Sequence, residues 1–218
     1  MNIASYIDHT VLKPTTRNED VDQLCSEAVT YNFAAVCVPP PYISRAKAAT
    51  RQSSVKTATV IGFPFGYSGI EAKVAEIKQA ITDGADELDI VINLCALKNG
   101  DWDYLAREIV TCLQPIRLHR KVVKVIIESG ILTDEEIVSA CVLYAKHKVD
   151  FVKTSTGYAE HGASVHAVRL MRSNLPASIE IKASGGIRTF AFAEELVLAG
   201  ATRIGASASI AIAGRQPS

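Results

Sequence analysis

Phe151-Val-Lys-Thr-Ser-Thr-Gly-Tyr158 and Ile179-Glu-Ile-Lys-Ala-Ser-Gly-Gly186 are built alike. In each, a short apolar run ends in a lysine, and hydroxyl residues and a glycine follow. A strand of this kind aims an amine outward where the backbone turns. Leaving an unpaired charge in an apolar wall is costly, so a single lysine here would simply be solvated. Two of them, Lys153 and Lys182, on successive strands would converge on one mouth, and that arrangement suggests amine chemistry.

Reading outward from this pair, short β-type runs alternate with helical patterns along the chain. Strands are predicted near Tyr6–His9, Ala34–Val38, Thr57–Phe63, Leu88–Ile92, Val122–Ile127, Phe151–Thr154, Ile179–Ala183 and Arg203–Gly205. Their starts lie roughly 28 residues apart, the length of one strand–helix unit with short loops. Most are β-branched and nearly continuous, as expected of parallel strands buried on both faces. Thr16-x-x-Glu19, Ser68-x-x-Glu71 and Thr133-x-x-Glu136 read as capping boxes that start helices. Ile137, Ala140, Cys141 and Tyr144 then form one helical face. Gly84-Ala85 and Gly200-Ala201 read as helix stops, because glycine tolerates the left-handed C′ conformation.

Eight such units in 218 residues predict a single (β/α)8 barrel, an α/β fold spanning residues 1–218 as one catalytic domain. The alternative, an open doubly wound sheet, calls for Gly-x-Gly-x-x-Gly after the first strand, and none is present.

Composition narrows the function. Apolar residues make up 48% and charged residues 21%, and the formal net charge is zero. There is no basic surplus for nucleic acid and no polybasic run for an anionic membrane. No run is long and apolar enough for a membrane helix, and no signal peptide is read at the N-terminus. The five cysteines form no Cys-x-x-Cys and read as reduced thiols, mostly in the core; with no signal peptide, they suggest a cytoplasmic protein. The five histidines show no metal-ligand spacing, so no metal and no cofactor are expected. His161 and His166 read as surface residues.

In a barrel the chemistry sits at the C-terminal ends of the strands. Those ends carry Asp8, Cys37, Asp89, Glu128-Ser129, Lys153, Lys182 and Gly205-Ala-Ser207. Asp89 interrupts an otherwise apolar strand, so it must be paired or hydrogen-bonded. It could close the barrel as a salt bridge or serve the lysines as an acid/base partner. A free lysine has a pKa of about 10.4, so about one in a few thousand is a neutral nucleophile at pH 7. A second ammonium at about 5 Å, with an effective dielectric of about 20, costs about 3 kcal/mol, or roughly two pKa units. Burial acts in the same direction. One lysine could thus reach the range useful for attack on a carbonyl. Gly185-Gly186 and Gly205-Ala-Ser207 each precede a helical pattern. These loops form the usual phosphate site of such a barrel. The residues alone thus predict imine chemistry on a phosphorylated carbonyl compound.

Four stretches together resemble the deoxyribose-phosphate aldolase family: Tyr6-Ile-Asp-His-Thr-Val-Leu-Lys13, Gly84-Ala-Asp-Glu-Leu-Asp-Ile-Val-Ile-Asn93, Phe151-Val-Lys-Thr-Ser-Thr-Gly157 and Ile181-Lys-Ala-Ser-Gly-Gly-Ile-Arg188. The resemblance runs from about residue 3 to about residue 212. It implies a metal-free class I aldolase on a (β/α)8 barrel. Such an enzyme interconverts 2-deoxy-D-ribose 5-phosphate with glyceraldehyde 3-phosphate and acetaldehyde. By position, it implies Lys153 as the Schiff-base nucleophile, Lys182 as its acid/base partner and Asp89 as a proton carrier. It also implies a phosphate site at Gly157, Gly185, Gly186, Arg188, Gly205 and Ser207. Asp8 and Cys37 complete the expected substrate-binding set. Three departures stand out: Cys95 and Ala208 replace residues common in the family, and the short tail lacks a terminal tyrosine. The expected partners are small sugar phosphates and aldehydes, and a homodimer is left open.

Overall fold

The computed structural model describes residues 2–214. Eight parallel strands close into a barrel in chain order. They are β1 (Ile7–Thr10), β2 (Ala35–Val38), β3 (Lys56–Ile61), β4 (Glu87–Val91), β5 (Val122–Ile126), β6 (Phe151–Lys153), β7 (Glu180–Ser184) and β8 (Arg203–Ala206). The helices are α1 (Asn18–Tyr31), α2 (Ile43–Thr50), α3 (Ile70–Thr82), α4 (Leu94–Lys98), α5 (Trp102–Leu118), α6 (Asp134–Lys146), α7 (Val165–Asn174), α8 (Phe190–Leu198) and α9 (Ser209–Ala213). The (β/α)8 expectation is met, with one extra short helix between β4 and β5.

Strand alternation divides the protein into two interiors. Outward residues such as Val36, Leu88, Ile90, Val123, Val152 and Ile181 pack against the helices in one continuous apolar core. Burying each such large side chain contributes about 1.5–3 kcal/mol. Inside the barrel the content splits by side. The inward residues of β2 and β3, namely Ala35, Cys37, Ala58 and Val60, form a small separate cluster packed against Leu12 and Phe63. The opposite side holds buried charges instead: Asp8, Glu87, Asp89, Lys124, Lys153 and Lys182.

Several local expectations hold. Thr133 caps α6 as read, its hydroxyl accepting from Glu136 N at 3.2 Å while the Glu136 carboxylate accepts from Thr133 N at 2.8 Å. Ile137, Ala140, Cys141 and Tyr144 all face the core. At Gly84 the backbone turns to φ 103°, and Ala85 N donates back to Ala80 O, so the helix stops as glycine permits. Four of the cysteines are buried, and Cys95 is exposed.

The other two capping boxes are corrected by one residue. Arg17 precedes α1, and Asp20, not Glu19, accepts its N–H at 2.8 Å. Gly69, not Ser68, precedes α3. In both cases the hydroxyl lies one residue outside the helix entrance, too early to serve its orphan donors. The third strand stops at Ile61 rather than Phe63, because Gly62 turns to φ 62°. Cys95 lies on α4 and Ala208 immediately precedes α9. The tail after Gly214 lies outside the described residues.

Candidate active site

Lys153 is the last residue of β6, and Lys182 is its Cα partner in β7. This register brings the two amines together. Asp89 on β4 reaches them across the barrel. Its Oδ2 lies 2.8 Å from Lys153 Nζ and 2.7 Å from Lys182 Nζ. The three residues expected to act together therefore meet at one oxygen.

Asp8 and Cys37, the other two expected substrate-binding residues, lie deeper in the barrel. Asp8 is the second residue of β1 and fully buried, so it lies within the barrel rather than at its mouth. It binds Lys182 Nζ at 2.5 Å and Arg203 at 2.7 Å. Cys37 is fully buried in the apolar cluster on the β2–β3 side. Neither lines the cavity described below.

Three participants escaped the sequence reading: Lys124, Glu87 and Arg203. Lys124 Nζ lies 2.7 Å from both Asp89 Oδ1 and Glu87 Oε2. Arg203 bridges Asp8 at 2.7 Å and Glu87 at 3.0 Å, with its guanidinium over the Phe151 ring. The signal was present, because Lys124 interrupts the apolar β5 as Asp89 interrupts β4. What marks it as an inner partner is the register, in which Asp89 and Lys124 are Cα partners.

The network places four cationic side chains, Lys124, Lys153, Lys182 and Arg203, among three carboxylates, Asp8, Glu87 and Asp89. One cation is in excess, and Lys153 is the least supported. Burial pushes its pKa down, the nearby Lys182 ammonium adds to this, and Asp89 only partly offsets them. Burial also opposes the charge on Lys182, but Asp8 and Asp89 outweigh it and raise its pKa. Lys124 and Arg203 are raised in the same way. Burial disfavours the Asp89 carboxylate, yet three ammonium neighbours hold its pKa well below the usual carboxylate range. Asp89 and Lys153 thus shift in opposite senses within one ion pair. The carboxylate has three cations to itself, whereas Lys153 shares one oxygen of it. Desolvation, ahead of the ammonium repulsion weighed from the sequence, depresses Lys153.

A cavity of about 830 Å³ opens above this network, with Lys153 in its wall. Gly157, Gly185, Gly186, Arg188, Gly205 and Ser207 all line it, so the expected phosphate-site residues are brought to one place. Gly185 and Gly186 have φ of 90° and 77°, a left-handed pair that a side chain would strain. Among the described residues neither donates its amide hydrogen to a protein acceptor, which suits them to an anion. Gly205 has a different reason to be small. A Cβ there would lie 3.0 Å from Lys182 Cε and 2.9 Å from Ser184 Cβ, so its absence makes room for the Lys182 stem.

His9 was also missed. It lines the cavity, and its ring nitrogens contact Ser209 Oγ at 2.9 Å and Glu27 Oε2 at 2.8 Å, tying β1 to α9 and α1. Its neighbours are scattered along the chain, so no local spacing reveals it. Among the described residues no three His, Cys, Asp or Glu side chains gather as metal ligands, and no helix is long and apolar enough to cross a membrane.

A buried lysine with a depressed pKa, a charged lysine beside it and a cavity suited to an anion form the kind of site that works on carbonyl compounds. Residues 2–216 match the DeoC/LacD family aldolases, and the chain belongs to that family. It is therefore a carbon–carbon lyase. Its relatives include the deoxyribose-phosphate aldolase of Thermococcus gammatolerans, 49% identical over 97% of this chain and 95% of that one. The deoxyribose-phosphate aldolase of Bacillus cytotoxicus is also 49% identical, over the same shares. The solved deoxyribose phosphate aldolase of Aeropyrum pernix, described as a unique tetramer, is 33% identical. It aligns with a TM-score of 0.90 over 97% of this chain and 89% of that one.

Proposed function

We propose that this aldolase reversibly cleaves 2-deoxy-D-ribose 5-phosphate to glyceraldehyde 3-phosphate and acetaldehyde through an imine on Lys153. The observation that carries this reading is the excess of one cation in the buried network. That excess falls on Lys153, the one amine of the network in the cavity wall. Neutral Lys153 attacks C1 of the open-chain sugar, and loss of water gives an iminium. Removal of the C3 hydroxyl proton then breaks the C2–C3 bond. Its electron pair moves toward the iminium nitrogen, leaving an enamine and glyceraldehyde 3-phosphate. Protonation at C2 and hydrolysis release acetaldehyde and restore the amine. Synthesis runs in reverse.

Lys182 is the proton donor and acceptor in this scheme, its charge supported by Asp8 and Asp89. Asp89 acts as a bridge. A carboxylate held so far below its usual pKa stores no proton near neutrality, but its shared Oδ2 connects the two amines. The glycine amides and Arg188 receive the phosphate.

Two measurements test the proposal. Cleavage of deoxyribose phosphate is followed with a glyceraldehyde 3-phosphate detector, beside ketose phosphates and unphosphorylated deoxyribose. Borohydride is then added with acetaldehyde, and a two-carbon adduct is sought by peptide mass spectrometry. Turnover of deoxyribose phosphate with an adduct on Lys153 supports the reading. Preference for a ketose phosphate would move the substrate, and an adduct on Lys182 would reverse the lysine roles.

A further inference from the structure

Glu128 lies just beyond the end of β5, with φ and ψ both 55°. A non-glycine residue rarely occupies this left-handed region, and it persists only where its surroundings impose it. The side chain is 2% exposed. A buried carboxylate needs partners, and both oxygens of Glu128 find them on one residue. Thr156 N donates to each at 3.2 Å, and the Thr156 hydroxyl donates to Oε2. Thr156 Oγ1 in turn accepts from Tyr158 N at 3.1 Å. Tyr158 then crosses the mouth. Its hydroxyl donates to Leu12 O at 2.8 Å, and its ring meets Phe63 edge-on at 5.4 Å. Between Thr156 and Tyr158 sits Gly157, at φ 88° in the cavity wall. A continuous chain of contacts therefore runs from Glu128, through the loop after β6, to the loops after β1 and β3.

We propose that Glu128 is a positioning residue for the anionic end of the substrate: it sets the Thr156–Tyr158 turn, which holds Gly157 in the cavity wall and straps the mouth through Tyr158. The inference rests on the aldolase reading above and adds a residue to it. Glu128 acts through the loop: its hydrogen bonds go to Thr156, whereas the Lys153 amine is held by Asp89. Its loss should therefore weaken binding of the phosphorylated sugar more than it slows chemistry at Lys153. It should leave reaction with acetaldehyde, which has no phosphate, in place.

The test compares KM and kcat for 2-deoxyribose 5-phosphate in the unaltered enzyme, Glu128→Gln, Thr156→Val and Thr156→Ser, with acetaldehyde–borohydride trapping on each. Glu128→Gln keeps the volume but loses an acceptor. KM should rise at least about tenfold, the equivalent of one lost charged hydrogen bond. Its kcat should change by no more than about threefold, the pattern of lost ground-state binding. Thr156→Val should follow it, and Thr156→Ser, which keeps the hydroxyl, should restore KM. Trapping on Lys153 should persist in Glu128→Gln. An unchanged KM would overturn the proposal. So would loss of trapping in parallel with turnover, since Glu128 would then act on the amine and not on the loop. Should Glu128→Gln fail to fold, Tyr158→Phe decides the matter at the half-exposed far end of the chain. A raised KM with kcat retained supports the strap, and an unchanged KM refutes it. Absence of trapping in the unaltered enzyme would count against the imine reading alone, and the KM comparison would still settle the role of Glu128.

Discussion

Lys153 and Lys182 are Cα partners on adjacent strands, and both ammonium groups meet the same oxygen, Asp89 Oδ2, at 2.8 and 2.7 Å. A second carboxylate distinguishes them. Lys182 also holds Asp8 at 2.5 Å, whereas among the described residues Lys153 has Asp89 alone. Register made the pair, and the uneven sharing of carboxylates gives its members opposite pKa shifts.

The first prediction concerns this division. Lys153→Ala should abolish both imine trapping and cleavage. Lys182→Leu removes a repulsive neighbour and leaves Asp89 more fully to Lys153, so the Lys153 pKa should rise. Imine formation near neutral pH should fall and recover as pH increases. Cleavage should not recover in step, because the proton partner is gone. Trapping yield and turnover measured between pH 6 and about 10, the ordinary lysine range, separate the two effects.

Lys124 offers a test of the charge count. Lys124→Met leaves three cations beside three carboxylates, and the excess that keeps Lys153 poorly supported disappears. The Lys153 pKa should move up, and the alkaline-rising limb of the kcat/KM profile should move to higher pH. A profile that loses height without shifting along the pH axis would mean that Lys124 is structural only.

Gly205→Ala should damage activity more than stability. The added Cβ must displace Lys182 Cε or Ser184 Cβ, and the lysine end is already fixed by two carboxylates. Overpacking of this kind costs about 1–3 kcal/mol of stability. A shift of about 1 Å in a reacting group can cost about a hundredfold in rate. Denaturant midpoints beside kcat decide the ratio, and full activity would show that the Lys182 stem can give way.

Acid should unfold this barrel through its interior. Asp8 and Asp89 both have pKa values lowered from the ordinary carboxylate range. The stability that they supply is complete above their unfolded values of about 4. It is lost as pH falls through the lower folded values, because the unfolded chain then binds more protons. Asp89→Asn should destabilise the protein at pH 7 by about 3–5 kcal/mol, since three buried ammoniums lose a partner. It should also flatten the acid dependence. Urea unfolding at pH 7, 5 and 3 measures both.

The barrel was legible in the chain because each strand and helix declares itself by local periodicity, and eight repeats of about the same length leave few ways to close. Lys153 and Lys182 were legible for the same reason: each ends an apolar run at a turn, as a local pattern can show. Asp89 was legible as a charge out of place. The capping residues of α1 and α3 were read one position early, since neighbouring residues can serve a helix start equally well until the backbone chooses. Only the closed sheet decided which charges meet. Asp89 finds Lys124, Lys153 and Lys182 at separations of 35, 64 and 93 residues, and Arg203 finds Asp8 at 195. No short-range pattern encodes such pairings, because they follow from strand register around a full turn of the barrel. The pKa of each lysine depends on how those carboxylates are shared. The chain by itself therefore determined the fold and the two strand-end lysines, while the tertiary structure decided which of them has its pKa lowered and which has it raised.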